Sequence, residues 1–193
     1  MIIRKLCVNE IEQAVCLAQW TFEYCIMRRN ANQQLKEIFM QYNNYENILS
    51  LFQQGRIMIW GAFEKNHMVG MGAMEAPGRI SMLYVHPNCQ RRGYGKALIR
   101  EMQYVAYEEY KTEHISINVI PAWMAGYFLK RKFSSSRLFD MNRDLFVPMT
   151  IDTIKLKRYK QKKIKGKILA GIILGFVLLI IVSTLLFEFW YMY

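Results

Sequence analysis

The sequence predicts a mixed α/β domain with elements in the order β, α, α, β, β, β, α, β, α, β, β, followed by one C-terminal transmembrane helix. Two observations predict the domain: segments of alternating apolar residues are interspersed with segments of helical period, and a glycine-rich loop joins one strand to one helix. The transmembrane helix is predicted by a run of twenty residues without a charge at positions 168–187, long enough to cross a bilayer.

The first half of the chain is predicted to contain one strand, two helices and two further strands. Residues 2–8 alternate loosely, and Asn9 and Glu10 can cap a helix over residues 11–27. A second helical pattern covers residues 31–54. The segments RIMIWGAFEKN and HMVGMGAMEA then predict two strands joined at a polar turn.

The second half begins with the segment RISMLYV, residues 79–85, which predicts a third strand of this group. From Gly93 onward the apolar residues repeat with helical period, so a glycine loop joins this strand to a helix. HISINVI predicts the next strand, PAWMAGYFLKRKF a short helix, and SSRLFD with DLFVPM a final hairpin around MNR. These elements predict one domain over residues 1–152.

A basic segment separates that domain from the uncharged run. Residues 153–167 hold eight Lys and Arg residues and no acidic ones, within a net charge of +11. A basic flank on one side of a span places that side in the cytoplasm. We therefore expect a single-pass protein of the cell membrane, with a cytoplasmic domain, a basic linker, a transmembrane helix at 168–187 and a short extracytoplasmic tail at 188–193.

Charge and composition also bear on the partners. The basic segment can hold membrane lipid, whereas nucleic acid is not expected, because the segment abuts the span and lacks the interleaved aromatics of a stacking platform. Gly171 and Gly175 form a G-x-x-x-G pattern, which allows two spans to pack closely as a homodimer. No metal is expected, because the four cysteines include no C-x-x-C pair and no His/Cys cluster at zinc spacing.

The loop QRRGYGKAL, residues 90–98, has the composition of an anion site. A helix N-terminus offers unpaired N–H groups, glycine allows a close approach of the backbone, and Arg91, Arg92 and Lys96 add charged donors. The spacing fits neither a Walker loop nor a dinucleotide-binding fingerprint, because Ala97 follows Lys96 and Leu98 stands where a third glycine is needed.

The stretch VHPNCQRRGYGKALI resembles the pyrophosphate loop of the GNAT superfamily of acyl-CoA-dependent N-acetyltransferases, with the signature [Q/R]-x-x-G-x-[G/A] filled by Gln90, Gly93 and Gly95. The predicted element order is similar to that of the family over residues 1–152. The resemblance implies a GNAT-like mixed central sheet and acetyl-CoA as cosubstrate. It further implies two sets of cofactor contacts: loop residues Gln90, Arg91, Arg92, Gly93, Tyr94, Gly95 and Lys96 on the pyrophosphate, and strand residues Leu83, Tyr84 and Val85 on the pantetheine arm, with Asn118 as a further candidate.

The resemblance implies direct transfer of the acetyl group from the thioester to a neutral amine. The family often uses a tyrosine to protonate the leaving thiolate, in a helical pattern resembling FYEKLGF. Counting back from Phe133 places Phe128 at the tyrosine position, whereas counting forward from Pro121 with one residue inserted places Tyr127 there. Tyr127 is preferred. Glu75 and His86, at strand ends, are candidates for the base that accepts the amine proton.

Two alternatives remain open at this stage. Lys132 stands where the family pattern has glycine, which leaves a non-catalytic acyl-CoA-binding or protein-interaction module as an alternative to a membrane-tethered N-acetyltransferase. The acceptor of such an enzyme is a primary amine, either at the membrane or a small diffusing molecule, and longer acyl groups are not excluded.

Overall fold

A six-stranded sheet organises the part of the chain that the computed structural model describes, residues 1–29 and 32–153. The strands lie side by side in chain order, and all neighbours are antiparallel except the fourth and fifth, which are parallel. They are β1 (Ile2–Lys5), β2 (Ile57–Glu64), β3 (His67–Glu75), β4 (Arg79–Val85), β5 (His114–Val119) and β6 (Val147–Asp152). The predicted mixed α/β class with a mixed central sheet is therefore confirmed.

Helices cover both faces of the sheet. They are α1 (Ile11–Phe22), α2 (Gln33–Tyr42), α3 (Tyr45–Gln53), α4 (Tyr94–Tyr110) and α5 (Ala125–Leu129), and a π-helical turn, Glu23–Met27, continues α1. Because successive strand residues point to opposite faces, Trp60 of β2 packs with α4 residues while its neighbour Ile59 packs with α1 residues. The sheet thus separates an α4 side from an α1–α3 side.

A bulge in β4 opens the sheet at its centre. Met82 pairs with Ala73 and Ile80 with Met74, so Ser81 is an extra residue on the β4 side. A bulge bends its strand. In the described residues β4 pairs with β5 only at Arg79 and Ile80, and the two parallel strands diverge beyond that point. Residues 81–85 of β4 therefore face a gap.

The predicted single helix over residues 31–54 is wrong, because the structure has two helices there. Asn43 ends α2, and its side-chain amide donates to Phe39 O (2.9 Å). Asn44 begins α3 as its N-cap, and its side-chain oxygen accepts from Asn47 N (2.8 Å). Asparagine side chains satisfy backbone groups at helix ends, and the pair therefore divides the helical pattern.

The predicted final hairpin is also wrong, since only its second half forms a strand, β6. Before β6, Asp140 and Asp144 accept backbone N–H groups in a turn: Asp140 N donates to Asp144 Oδ2 and Asn142 N to Asp140 Oδ1, both at 2.8 Å. Such local bonds compete with a strand ladder. The observed order in the described residues is accordingly β, α, α, α, β, β, β, α, β, α, β.

The predicted transmembrane helix at 168–187, the basic linker beyond residue 153 and the tail at 188–193 lie outside the described residues. Within residues 1–29 and 32–153, the structure contains no helix of the length and apolar character needed to cross a membrane.

Candidate active site

The gap between β4 and β5 opens into a cleft of ≈ 890 Å³. It runs from the loop before α4, past the diverging strands, to the space between β4 and helices α1–α3. Of the predicted site residues, Arg92 and His86 do not line it, whereas the following do: Glu75, Leu83, Tyr84, Val85, Gln90, Arg91, Gly93, Tyr94, Gly95, Lys96, Asn118 and Tyr127.

The loop before α4 presents backbone N–H groups to this cleft. Gly93 is the N-cap of α4 and has φ +92°, a conformation that glycine adopts without strain. Its carbonyl accepts from Ala97 N (3.0 Å) in the first helical hydrogen bond, so the N–H groups of residues 94–96 have no acceptor within the helix. These N–H groups are therefore available to donate hydrogen bonds to an anion.

The Gln90 side chain connects this loop to β4 through a hydrogen bond. Its side-chain amide donates to Val85 O (3.0 Å), at the end of the strand, and approaches Cys25 Sγ (3.5 Å). The side chain therefore fixes the loop relative to the diverging part of β4.

The two loop arginines point to different places. Arg91 lines the cleft, as does Lys96. Arg92 does not, because its guanidinium forms a two-point ion pair with Glu64 at the end of β2, one bond being Nη1 to Oε2 at 3.0 Å. Hydrogen bonding to Glu64 raises the pKa of Arg92. The structure thus brings Arg91 and Lys96, but not Arg92, to the cleft.

Tyr127 presents a hydroxyl to the cleft, whereas Phe128 is buried. A Cβ built on Gly95 would collide with Tyr127 Oη, which places this hydroxyl against the first turn of α4. The Phe128 ring, by contrast, packs into the core edge-on to Phe133. Burial raises the pKa of Tyr127 above its ordinary value, and nearby Arg131 acts in the opposite direction. Tyr127 is therefore protonated at neutral pH and able to donate.

Arg131 is a cleft residue that the sequence analysis missed. Its guanidinium lies over the Tyr127 ring, 3.3 Å from the centroid, and its Nη1 donates to Tyr127 O (2.8 Å). The spacing of four residues from a candidate catalytic tyrosine is a signal that could have identified it, because such residues are neighbours on one helical face.

The two candidate bases have different surroundings. Glu75 lines the cleft, and its carboxylate accepts two bonds from Arg79, at 2.8 Å from Nη2 and 3.2 Å from Nε. His86 stacks on Trp20 with ring centroids 4.6 Å apart, and its Nδ1 accepts from Asn88 N (3.3 Å). His86 thus caps a turn, and Glu75 is the candidate that borders the cleft.

The chemistry of the cleft suits an acyl-coenzyme A. The diverging strands leave room for an extended arm, and the glycine loop and first turn of α4 offer N–H groups for a pyrophosphate. No group of three or more His, Cys, Asp or Glu residues that could hold a metal ion occurs within residues 1–29 and 32–153.

Comparison with known proteins identifies this architecture. A family model described as an acetyltransferase (GNAT) domain matches residues 27–152. No curated protein matches the chain. Among solved structures, the PaiA N-acetyltransferase of Thermoplasma acidophilum in complex with coenzyme A has a TM-score of 0.64 and 16% identity, over 78% of this chain and 98% of that one.

Two further solved structures are similar. The ribosomal-protein-S18-alanine N-acetyltransferase of Escherichia coli has a TM-score of 0.56 and 13% identity, covering 79% of this chain and 93% of that one. A mutant form of the spermidine/spermine N-acetyltransferase SpeG of Vibrio cholerae has a TM-score of 0.54 and 12% identity, covering 82% of this chain and 98% of that one. At these identities the structural likeness concerns the fold alone.

Proposed function

The chain belongs to the GNAT acetyltransferase family and is an acyltransferase that uses acetyl-CoA, and from this premise we propose that it acetylates a primary amine by direct attack within a ternary complex. The observation that carries the proposal is the continuity of the cleft. The same cavity is bordered by the α4 loop, by the diverging strands and by helices α1–α3. Both substrates can therefore meet without an acetylated enzyme intermediate.

The cofactor half of the cleft has the groups that a coenzyme requires. Acetyl-CoA supplies the activated acetyl group as a thioester. The N–H groups at the start of α4 would hold its pyrophosphate, with charge from Arg91 and Lys96. Leu83, Tyr84 and Val85 would offer backbone groups to its pantetheine arm, because β4 has diverged from β5 there. Asn118 borders the other side of the gap.

The proposed transfer needs a proton acceptor and a proton donor. The amine nitrogen forms a bond to the acetyl carbon, and the carbon–sulfur bond breaks. Tyr127 donates its phenolic proton to the departing thiolate, and Glu75 accepts the proton of the amine, directly or through water. For Glu75 to do so, its carboxylate must share or release its bonds to Arg79.

The proposal has a direct test in the full-length protein. We expect calorimetric titration to give micromolar acetyl-CoA binding, and mass spectrometry to detect acetylated product when acetyl-CoA is incubated with a panel of primary amines. Binding without transfer to any amine would favour a non-catalytic acyl-CoA-binding module. An absence of binding by the folded protein would contradict the proposed cofactor site.

We also propose that the enzyme is tethered to the cell membrane by residues 168–187, with its catalytic domain in the cytoplasm. The support is the sequence: twenty residues without a charge follow a segment with eight basic residues. Contact of the basic segment with anionic lipid, and close packing at Gly171 and Gly175 in a homodimer, are parts of the same proposal.

Alkaline carbonate washing of cell membranes tests the tether. We expect the full-length protein to stay in the pellet. A Leu178→Arg/Ile181→Arg variant should move to the soluble fraction, because each arginine at the centre of a span opposes insertion by roughly 2.5–3.5 kcal/mol. The matched control, Leu138→Arg, alters a fully exposed leucine of the domain and should remain in the pellet. Release of the unmodified protein would contradict the tether.

A further inference from the structure

The end of the cleft away from the α4 loop is an apolar chamber. We call it the acceptor chamber, and its apolar walls are Phe22, Ile26, Leu35, Phe39, Ile48 and Met82. The rings of Phe22 and Phe39 stack with centroids 3.8 Å apart. Tyr84, whose backbone borders the cofactor gap, places its ring edge-on to Phe39 with centroids 5.9 Å apart. The chamber therefore begins where the coenzyme arm would end.

Most polar groups that border the chamber already have partners in its walls. The Asn43 side-chain amide donates to Phe39 O (2.9 Å), and the Asn47 amide donates to Tyr42 O (2.7 Å). Glu75 and Arg79 are paired with each other. These groups maintain the helix ends and the strand turn that form the wall.

Thr21 is different. It borders the cleft and is only 4% exposed, yet its hydroxyl has no hydrogen-bond partner among the residues that the structure describes. A buried hydroxyl without a partner is costly, and a ligand that supplies the partner recovers that cost. A site of this kind discriminates between ligands that can and cannot form the bond.

The charges around the cleft restrict the ligand further. The charged residues that border it are four cations and one carboxylate in the described part of the chain: Arg79, Arg91, Lys96, Arg131 and Glu75. Arg91 and Lys96 are assigned to the coenzyme pyrophosphate, and the carboxylate is already bonded to Arg79. A ligand with several ammonium groups would therefore find no unpaired carboxylate among the described residues that border the cleft. An apolar body with a single amine needs no such carboxylate and buries its surface against the chamber.

We infer that the acceptor is a primary amine with one nitrogen and an aromatic or aliphatic body, and that the Thr21 hydroxyl hydrogen-bonds to this nitrogen and so contributes to binding of the acceptor. The inference rests on the proposed function, since it names the substrate class of the same site. It assigns the apolar chamber to the acceptor and not to a long acyl chain.

The test compares two amines and two variants of the full-length protein. The probes are 2-phenylethylamine and spermidine, each with acetyl-CoA, and both turnover and calorimetric binding to the coenzyme A complex are measured. We expect kcat/KM to be at least about tenfold higher for 2-phenylethylamine. Thr21→Val should raise KM for this amine about tenfold, with unchanged acetyl-CoA affinity and an unchanged or higher Tm, because it removes an unpaired hydroxyl at nearly constant volume. The matched control, Thr150→Val, alters an exposed threonine of β6 and should change none of these values.

Each contrary outcome has a distinct meaning. A higher kcat/KM for spermidine would overturn the substrate class, and a Thr21→Val variant with unchanged KM would overturn the role of Thr21. Faster transfer from octanoyl-CoA than from acetyl-CoA would reassign the chamber to the acyl chain. If 2-phenylethylamine binds in a Thr21-dependent way but no amine is acetylated, the proposed function fails while the chamber assignment stands. If it neither binds nor reacts, the inference is overturned.

Discussion

Replacing Gly95 by glutamate is expected to lower the affinity for acetyl-CoA by at least about 100-fold, because a carboxylate at the pyrophosphate site opposes a like charge. Gly95 is the second residue of α4, borders the cleft and lies against Tyr127 Oη. A negatively charged side chain in the first turn of a helix interacts favourably with the positive end of the helix dipole. The substitution should therefore not prevent folding. Calorimetry of the full-length protein measures the affinity, and a thermal melt measures the stability.

The matched control is Gly95→Ala. Its methyl group would meet the Tyr127 hydroxyl, the far end of a flexible side chain that can rotate away. We expect a loss of affinity of less than about tenfold. Gly93 is less suitable for this test, because its φ of +92° would strain the backbone of any substituted residue. Micromolar binding by a folded Gly95→Glu variant would show that the pyrophosphate lies elsewhere.

Tyr127→Phe is expected to lower kcat by about 100-fold while acetyl-CoA affinity stays within about twofold, since a general acid contributes on this scale and the ring is retained. The hydroxyl alone is removed, and the ring can keep its contact with Arg131. The rate is measured by chromatography of released coenzyme A, with the best acceptor of the amine panel.

The pH dependence should identify the role of the hydroxyl. Burial raises the pKa of Tyr127, so the phenol stays protonated throughout the neutral range and loses its proton only at a pH above its ordinary value of 10.0. Since only the neutral amine attacks, the wild-type rate should rise with pH through the neutral range and decline only after Tyr127 ionises. The variant should be slower at each pH on the rising part, without the later decline.

Tyr110→Phe is the control for this substitution, because Tyr110 is a partly exposed tyrosine at the end of α4 whose hydroxyl contacts Met58 Sδ (3.8 Å) outside the cleft. Its kcat should match that of the wild type. An unchanged kcat in Tyr127→Phe, or an equal loss in cofactor affinity, would indicate that Tyr127 packs against the cofactor and does not donate a proton.

Local sequence signals predicted the central part of the fold accurately. The strand at residues 79–85 has the bounds of β4, and the helix predicted from Gly93 onward is α4. These elements have strong periodicity and clear end signals, and the glycine loop between them needs backbone conformations that its residues allow. The sequence also contains a signal for the boundary between α2 and α3, because Asn43 and Asn44 are residues that commonly cap helices. Hydrophobic periodicity alone does not take such capping residues into account.

By itself the sequence determined the class of fold and the order of most elements, and it predicted an anion-binding loop and two alternative aromatic positions for the proton donor. All of these depend on neighbours along the chain. Only the tertiary structure decided which groups the members of each local pair contact: Arg92 pairs with Glu64, and Tyr127, not Phe128, meets Gly95.

Sequence analysis likewise could not show that the Thr21 hydroxyl lacks a hydrogen-bond partner within residues 1–29 and 32–153. Thr21 lies on α1, which contacts the distant strand β4, and the gap between β4 and β5 depends on how these strands diverge beyond the bulge at Ser81. Contacts between residues far apart in sequence leave no periodic trace. The sequence therefore identified the residues that we propose to bind the coenzyme, and the packing of the sheet determines the space that we propose for the acceptor.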